Sequence, residues 1–283
     1  MNEPHFPYSL NELLMPACSI AVSAGQRIME VYRHGFTVSE KADRSPVTTA
    51  DLAAHELISR ELSRLTPEIP ILSEESEAAP FPERQGWGHY WLIDPLDGTR
   101  QFIERNGGFS VNIALIQGHQ PTLGIVYAPA QEQCCYASRG AGAYHCHVGE
   151  EATRIHTRTP PATRLVVAGS RSYANRSLQT LLNHLGPHTL LRRGSAYKFC
   201  LVAAGEVDLY PRLGPTSEWD TAAGQCIVEE AGGQVVDTHF RPLSYNTKPS
   251  LENPSFFALG DTAYAWSHRL GSFNGHQESG VAS

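Results

Sequence analysis

No stretch of this 283-residue sequence approaches the roughly 18 consecutive apolar residues that a membrane-spanning helix needs. The opening Met1-Asn2-Glu3-Pro4-His5 lacks the basic-then-apolar pattern of a secretory signal, so a cytoplasmic location is expected. CxxC pairs are absent too. The six cysteines, Cys18, Cys134, Cys135, Cys146, Cys200 and Cys226, are expected to be reduced and buried rather than bridged. Cys146 lies in Tyr144-His145-Cys146-His147, but no second ligand pair stands at zinc spacing. Positive charge is in the minority: 22 Lys and Arg against 29 Asp and Glu give a net charge of −7. A generic nucleic-acid binder is usually basic, which argues against that class. An anionic ligand would need a local cation, either a metal or a few placed Lys and Arg. There is no internal repeat and no low-complexity core. What remains is an ordinary globular composition, 41% apolar and 18% charged, in a chain long enough for one large domain or two small ones.

Apolar spacing predicts a helix over residues 9–33, with Leu10, Leu13, Leu14, Ala17, Ala21, Ala24, Ile28 and Val31 near one face. Pro16 allows the helix to begin there instead. A second helix is expected from about Asp51 to Leu65, with Leu52, His55, Leu57, Ile58 and Leu62 inward. Apolar runs at residues 90–93, 111–116, 123–127 and 133–136, separated by turn residues, predict an antiparallel meander on those helices. From about residue 162 strands and helices alternate, which predicts an α/β half. Strands are expected near 165–168, 188–192, 207–210, 234–236 and 255–259, and helices near 174–185, 195–204 and 218–231. The expected division is residues 1–161, residues 162–270 with a boundary near Pro160-Pro161, and a flexible tail at 271–283. The first eight residues are also expected to be loose.

The densest chemical feature is Trp91-Leu92-Ile93-Asp94-Pro95-Leu96-Asp97-Gly98-Thr99. Two carboxylates three residues apart leave the end of an apolar strand, in a loop stiffened by Pro95. Hard divalent cations take oxygen ligands, and Mg²⁺ commonly takes one or two carboxylates with phosphate oxygens and water. Asp-Gly-Thr can also open a helix whose free N–H groups face a phosphate. A plain turn explains the same residues. Ile71-Leu72-Ser73-Glu74-Glu75 is a second apolar run ending in carboxylates, and a solvated acidic loop is its simpler reading. In Val47-Thr48-Thr49-Ala50-Asp51 a threonine cap with Asp51 on the helix dipole suffices. Ser217 and Asp220, in Ser217-Glu218-Trp219-Asp220-Thr221, have capping-box spacing.

Taken together, Ser73-Glu74-Glu75, Trp91 through Thr99 and Trp219-Asp220-Thr221-Ala222-Ala223-Gly224 resemble the motifs of the inositol-monophosphatase-like family of metal-dependent, lithium-sensitive phosphatases. The resemblance covers about residues 10–260. It implies a mixed α+β and α/β chain in the layered αβαβα sugar-phosphatase fold. It implies two or three Mg²⁺ ions held by Glu74, Asp94, the Leu96 carbonyl, Asp97 and Asp220. It also implies a Thr99–Asp51 pair orienting the attacking water, with Glu74 sharing in catalysis. Gly98 and Thr99 amides would hold the phosphate, which Glu74, Leu96, Asp97 and Asp220 would line as well.

Lys41-Ala42-Asp43-Arg44-Ser45-Pro46-Val47 and Asp97-Gly98-Thr99-Arg100-Gln101-Phe102 are similar to the 3′(2′),5′-bisphosphate nucleotidase (CysQ-type) branch of that family. So are Gly194-Ser195-Ala196-Tyr197-Lys198 and Leu209-Tyr210-Pro211-Arg212. A substrate with two phosphates needs a cation site for the one not cleaved. Ser195 and Lys198, three apart on an expected helix, with Arg212, suit that task. The resemblance implies removal of the 3′-phosphate of adenosine 3′,5′-bisphosphate (PAP), with its 5′-phosphosulfate relative as a related substrate and sulfate assimilation as context. Tyr173 departs from the branch, where Ser170-Arg171-Ser172 tends to be followed by His. An inositol or sugar-phosphate phosphatase and a non-catalytic binding protein are the alternatives. The resemblance implies a monomer or a homodimer, and it allows a peripheral association with the cytoplasmic face of the inner membrane that nothing in the sequence itself predicts.

Overall fold

The computed structural model describes residues 6–41, 45–161, 163–170 and 176–271. Residues 1–5 and 272–283, which fall in the segments expected to be loose, lie outside them, as does Tyr173.

Helix α1 spans Leu10–His34 and buries Leu13, Leu14, Ala17, Ala21, Ala24 and Ile28, a stripe at helical spacing. Pro16 sits inside it rather than at its start. The missing N–H costs about 3 kcal/mol, and the buried face on both sides of Pro16 offsets this. A short hairpin follows, β1 Val38–Glu40 against β2 Pro46–Thr48. It leads straight into α2, Thr49–Leu65. The buried stripe of α2 is Ala50, Ala54, Ile58 and Leu62, each four residues on from the last. Leu52 was expected inward, but it stands far around the helix from that stripe and is 46% exposed.

β3 (Ile71–Ser73) and a four-residue helix, α3 (Phe81–Arg84), precede the long strand β4 (His89–Asp97). After α4 (Thr99–Ile103) come β5 (Ser110–Gln117), β6 (Gln120–Ala128), β7 (Gln133–Ser138), β8 (Gly142–His147) and β9 (Thr153–Ile155). These form a seven-stranded sheet in chain order from β3 to β9. All pairings are antiparallel except β3 with β4. The expected meander is present, lengthened by β8 and β9, whose mixed polarity hid them.

The second half runs β10 (Leu165–Gly169), α5 (Arg176–Leu185), β11 (His188–Arg192), α6 (Tyr197–Ala203) and β12 (Leu209–Arg212). A 3-10 turn (Glu218–Asp220), α7 (Ala222–Glu230), β13 (Gln234–Asp237), β14 (Phe256–Leu259) and α8 (Trp266–Leu270) follow. The sheet order is β11-β10-β12-β14-β13, parallel at β10 and antiparallel around β14.

Strand alternation assembles the layers. Trp91 and Ile93 face the core of α1 and α2, while Tyr90 and Leu92 face the core of α6 and α7. In the second sheet Tyr210, Phe256 and Ala258 face that same α6–α7 layer, and Leu209, Phe257 and Leu259 face α5 and α8. The result is an αβαβα stack. Because both faces of the strands are covered, they read as apolar runs rather than as alternation.

The middle layer depends on close approach. A Cβ at Gly124 of β6 would stand 2.4 Å from the Ala223 carbonyl oxygen of α7. Gly124→Ala must push the helix from the sheet, and a loss of about 1–3 kcal/mol in urea unfolding is expected.

Candidate active site

The acidic motifs meet where β3 and β4 end side by side. Their parallel register pairs Ser73 with Ile93, and the Glu74 N–H donates to the Ile93 carbonyl at 3.2 Å. Glu74 therefore leaves the sheet beside Asp94.

Asp94 and Asp97 were expected in a loop beyond the strand, but β4 continues through both. The β4–β5 register passes from Asp94↔Asn112 to Asp97↔Ser110, with a shift between them. Three steps on one strand thus oppose two on the other, as in a β-bulge. In a regular strand residues three apart point to opposite faces. The extra residue cancels that, and Pro95, which has no N–H to lose, sits within it.

Glu74, Asp94 and Asp220 place carboxylate oxygens within 4.8 Å of one another. Asp220 arrives on the 3-10 turn before α7, its Oδ2 accepting from the Ser217 N–H at 2.9 Å in the expected capping box. Asp94 is 1% exposed. Its Oδ1 accepts from the Leu96 N–H at 3.0 Å, while its Oδ2 is buried without a hydrogen-bond donor among the described residues. Burial first, then the neighbouring carboxylates, push Asp94 well above the usual range, and the same causes bring Asp220 to about 8. Glu74 is raised by burial, with Lys41 pulling it back. Converging hard oxygens, one lacking any donor, fit a divalent cation.

Asp97 lies next to this group rather than in its tightest part. Its Oδ2 accepts from the Ala196 N–H, and it is raised by burial against the pull of Lys198. Leu96 is buried, and its carbonyl oxygen is 3.4 Å from Thr99 Oγ1. Gly98 takes φ 95°, ψ 40° and turns the chain into α4, so the expected helix start is present. At that start Thr99 Oγ1 donates to Asp51 Oδ1 at 3.2 Å. Thr48 is the expected threonine cap of α2, and Asp51, expected only to favour the helix dipole, also accepts from the Thr48 N–H and so closes a capping box. Its structural and chemical readings therefore hold together: one oxygen caps, the other holds Thr99. Burial raises the Asp51 carboxyl, and these hydrogen bonds oppose the rise.

A cavity of about 210 Å³ is lined by Asp97, Arg100, Ser195, Lys198, Arg212 and Asp220, among others. Lys198 is 3% exposed, and Nζ donates to the Ser195 carbonyl and lies 5.0 Å from the Tyr210 ring centre. Burial lowers it to about 8 despite Asp97. Ser195 was expected to share a helical face with Lys198, but α6 begins only at Tyr197 and Ser195 precedes it at φ 53°. The reason is packing: a Cβ at Gly194 would stand 2.2 Å from the Gly108 carbonyl, so the chain must turn there before coiling. Arg212, at the end of β12, donates to the Pro215 carbonyl at 2.8 Å and to Ser170 Oγ at 3.3 Å.

Lys41 is at the site without having been singled out as a site residue. Its Nζ is 2.8 Å from Glu74 Oε1 and 2.7 Å from Glu75 Oε1. Burial pushes Glu75 up to about 7. No local pattern marks a lysine 33 residues before its partner. Arg100, on the cavity wall, was likewise quoted only as part of a motif. The six cysteines are free, and the only close acidic, His or Cys ligand group among the described residues is Glu74, Asp94 and Asp220, so Cys146 has no metal partners there. No helix among the described residues is long and apolar enough to cross a membrane.

Comparison with known proteins agrees over nearly the whole chain. Residues 9–268 match the model of the inositol monophosphatase family. The 3′(2′),5′-bisphosphate nucleotidase CysQ of Escherichia coli K12 is 46% identical over 247 residues, covering 86% of this chain and 98% of that protein. The crystal structure of CysQ from Bacteroides thetaiotaomicron superposes with a TM-score of 0.78 at 37% identity, covering 89% of this chain and 98% of that one. An IMPase from Thermotoga maritima gives 0.76 at 25% identity, covering 94% and 97%. The chain belongs to the inositol monophosphatase family.

Proposed function

We propose that this protein hydrolyses the 3′-phosphate of adenosine 3′,5′-bisphosphate, giving AMP and phosphate, and that it accepts the 5′-phosphosulfate relative. The observation that carries this reading is a buried ammonium, Lys198, in the same cavity as Asp97 and Asp220. A buried cation needs an anion, and beside a phosphate-cleaving centre the natural one is a second phosphate. The activity named for the CysQ relatives is of this kind.

In this reading Glu74, Asp94, Asp97, Asp220 and the Leu96 carbonyl hold two or three Mg²⁺ ions. Bound there, Mg²⁺ supplies positive charge to the phosphate and acidifies a water. The Thr99 hydroxyl donates its hydrogen bond to Asp51, which leaves its lone pairs to accept a hydrogen bond from the water. Asp51 keeps that hydroxyl oriented. The Gly98 and Thr99 amides, at the start of α4, donate to the phosphate. Glu74 shares in catalysis as one of the residues around that water. Ser195, Lys198 and Arg212 anchor the second phosphate, which fixes the register of the first for cleavage. The protein acts in the cytoplasm as a monomer or homodimer; nothing in the described residues supports an added membrane association.

Phosphate release from PAP and from inositol 1-phosphate, with Mg²⁺ and with or without Li⁺, tests the substrate. Preference for the inositol ester would place the chain with the monophosphatases instead. Asp94→Asn should abolish turnover and Mg²⁺ binding together. Lys198→Ala should raise KM for PAP by about 10–100-fold, the loss of one charge-assisted hydrogen bond, and leave inositol 1-phosphate almost unaffected.

The raised carboxyls also set a pH dependence. Glu75 and Glu218 reach about 7 and Asp220 about 8, against ordinary values of 4.5 and 3.8. A carboxyl with a raised folded pKa binds its proton more tightly when native, so its contribution to stability is full at low pH and lost as pH rises to 7–8. Metal-free protein should therefore melt lower at pH 8 than at pH 5.5. Mg²⁺ should narrow the gap by favouring ionised Asp220. An equal melting temperature at both pH values in chelator would contradict this.

A further inference from the structure

Lys41 follows the last residue of β1, and its N–H donates to the Ser45 carbonyl at 2.9 Å, closing the hairpin with β2. That anchorage delivers its ammonium onto Glu74, a member of the three-carboxylate group, and onto Glu75, which lies outside the group. The Glu75 carboxylate is nearly buried, at 3% side-chain exposure, and Lys41 is the one cation with a salt bridge to it among the described residues. The ammonium therefore touches the same carboxylate that a divalent cation would use.

An ammonium and a divalent cation on one carboxylate repel, and the repulsion is strong where water is scarce. Three close carboxylates without any cation repel as well. We infer that Lys41 is the built-in counter-ion of the metal centre: it holds and neutralises Glu74 while the centre is empty, and it yields Glu74 to an arriving divalent cation by withdrawing to Glu75. Glu75 is thus the second anchor of a two-position lysine. Lys41 is a positioning residue here, and it lowers metal affinity in exchange for an ordered empty site. The inference rests on the reading of Glu74, Asp94 and Asp220 as metal ligands.

The full chain, stripped of metal by a chelator, is titrated calorimetrically with Mn²⁺ as wild type, K41M and K41R. K41M should bind Mn²⁺ about tenfold more tightly, through loss of one nearby positive charge, and its metal-free form should melt several degrees lower. K41R, which keeps the charge, should follow the wild type. Affinity in K41M equal to or weaker than wild type overturns the inference. A second measurement needs no variant. The chain has only three lysines, Lys41, Lys198 and Lys248. Acetylation of Lys41, read by peptide mass spectrometry against the surface residue Lys248, should rise severalfold when Mn²⁺ is added. Unchanged labelling overturns the inference. Failure of wild-type protein to bind Mn²⁺ removes the metal reading itself, and the inference with it. Mn²⁺ binding with flat Lys41 readouts removes the inference alone.

Discussion

Glu74, Asp94 and Asp220 bring three carboxylates within 4.8 Å of one another, where burial already disfavours their charge. Such a group persists in a folded chain only if its backbone supports leave it no escape and a cation is available to it. Both conditions are visible. Glu74 is fixed by the β3–β4 register, Asp94 by its bond from the Leu96 N–H, and Asp220 by a capping box. Lys41 brings charge from one side and Lys198 from the other. The site is electrostatically unfavourable by itself, and the rest of the molecule holds it in place.

The layering does that holding. Strands covered on both faces do not slide, because a one-residue slip would turn every side chain to the wrong layer. β4 is covered by α1 and α2 on one face and by α6 and α7 on the other. The two motif residues at its end are therefore set on a rigid element, as a metal or phosphate site requires. The middle helices belong to both sheets: α7 begins two residues after Asp220, and α6 carries Lys198. The cavity beside them is lined by residues from both halves of the chain, Asp97 and Arg100 from the first and Lys198, Arg212 and Asp220 from the second.

Much of this was legible beforehand. The strands of the meander are apolar runs because both their faces are buried, and the αβ rhythm after residue 162 follows from short strands that alternate with helices. The Asp94–Asp97 motif, the Glu74 pair and Asp220 were recognisable as a set. Other features were not. The bulge in β4 depends on β5, so the motif read as a loop. Leu52 read as inward because the alanines were passed over, whereas Ala50 and Ala54 make up half of the stripe of α2 with Ile58 and Leu62. Ser195 read as helical because the contact between Gly194 and Gly108 is a tertiary one.

Local spacing in the sequence by itself determined most of the helices and strands, and its motifs, through their resemblance to the family, pointed to the layered fold and to the acidic residues. Only the tertiary structure decided which carboxylates share one space, that Lys41 bridges Glu74 and Glu75, and that Lys198 is buried in the same cavity as Asp97 and Asp220. Those facts are electrostatic. Charges interact through space over a few ångströms, and such distances between residues as far apart in the chain as Glu74 and Asp220 exist only once the sheets have closed on their shared helices.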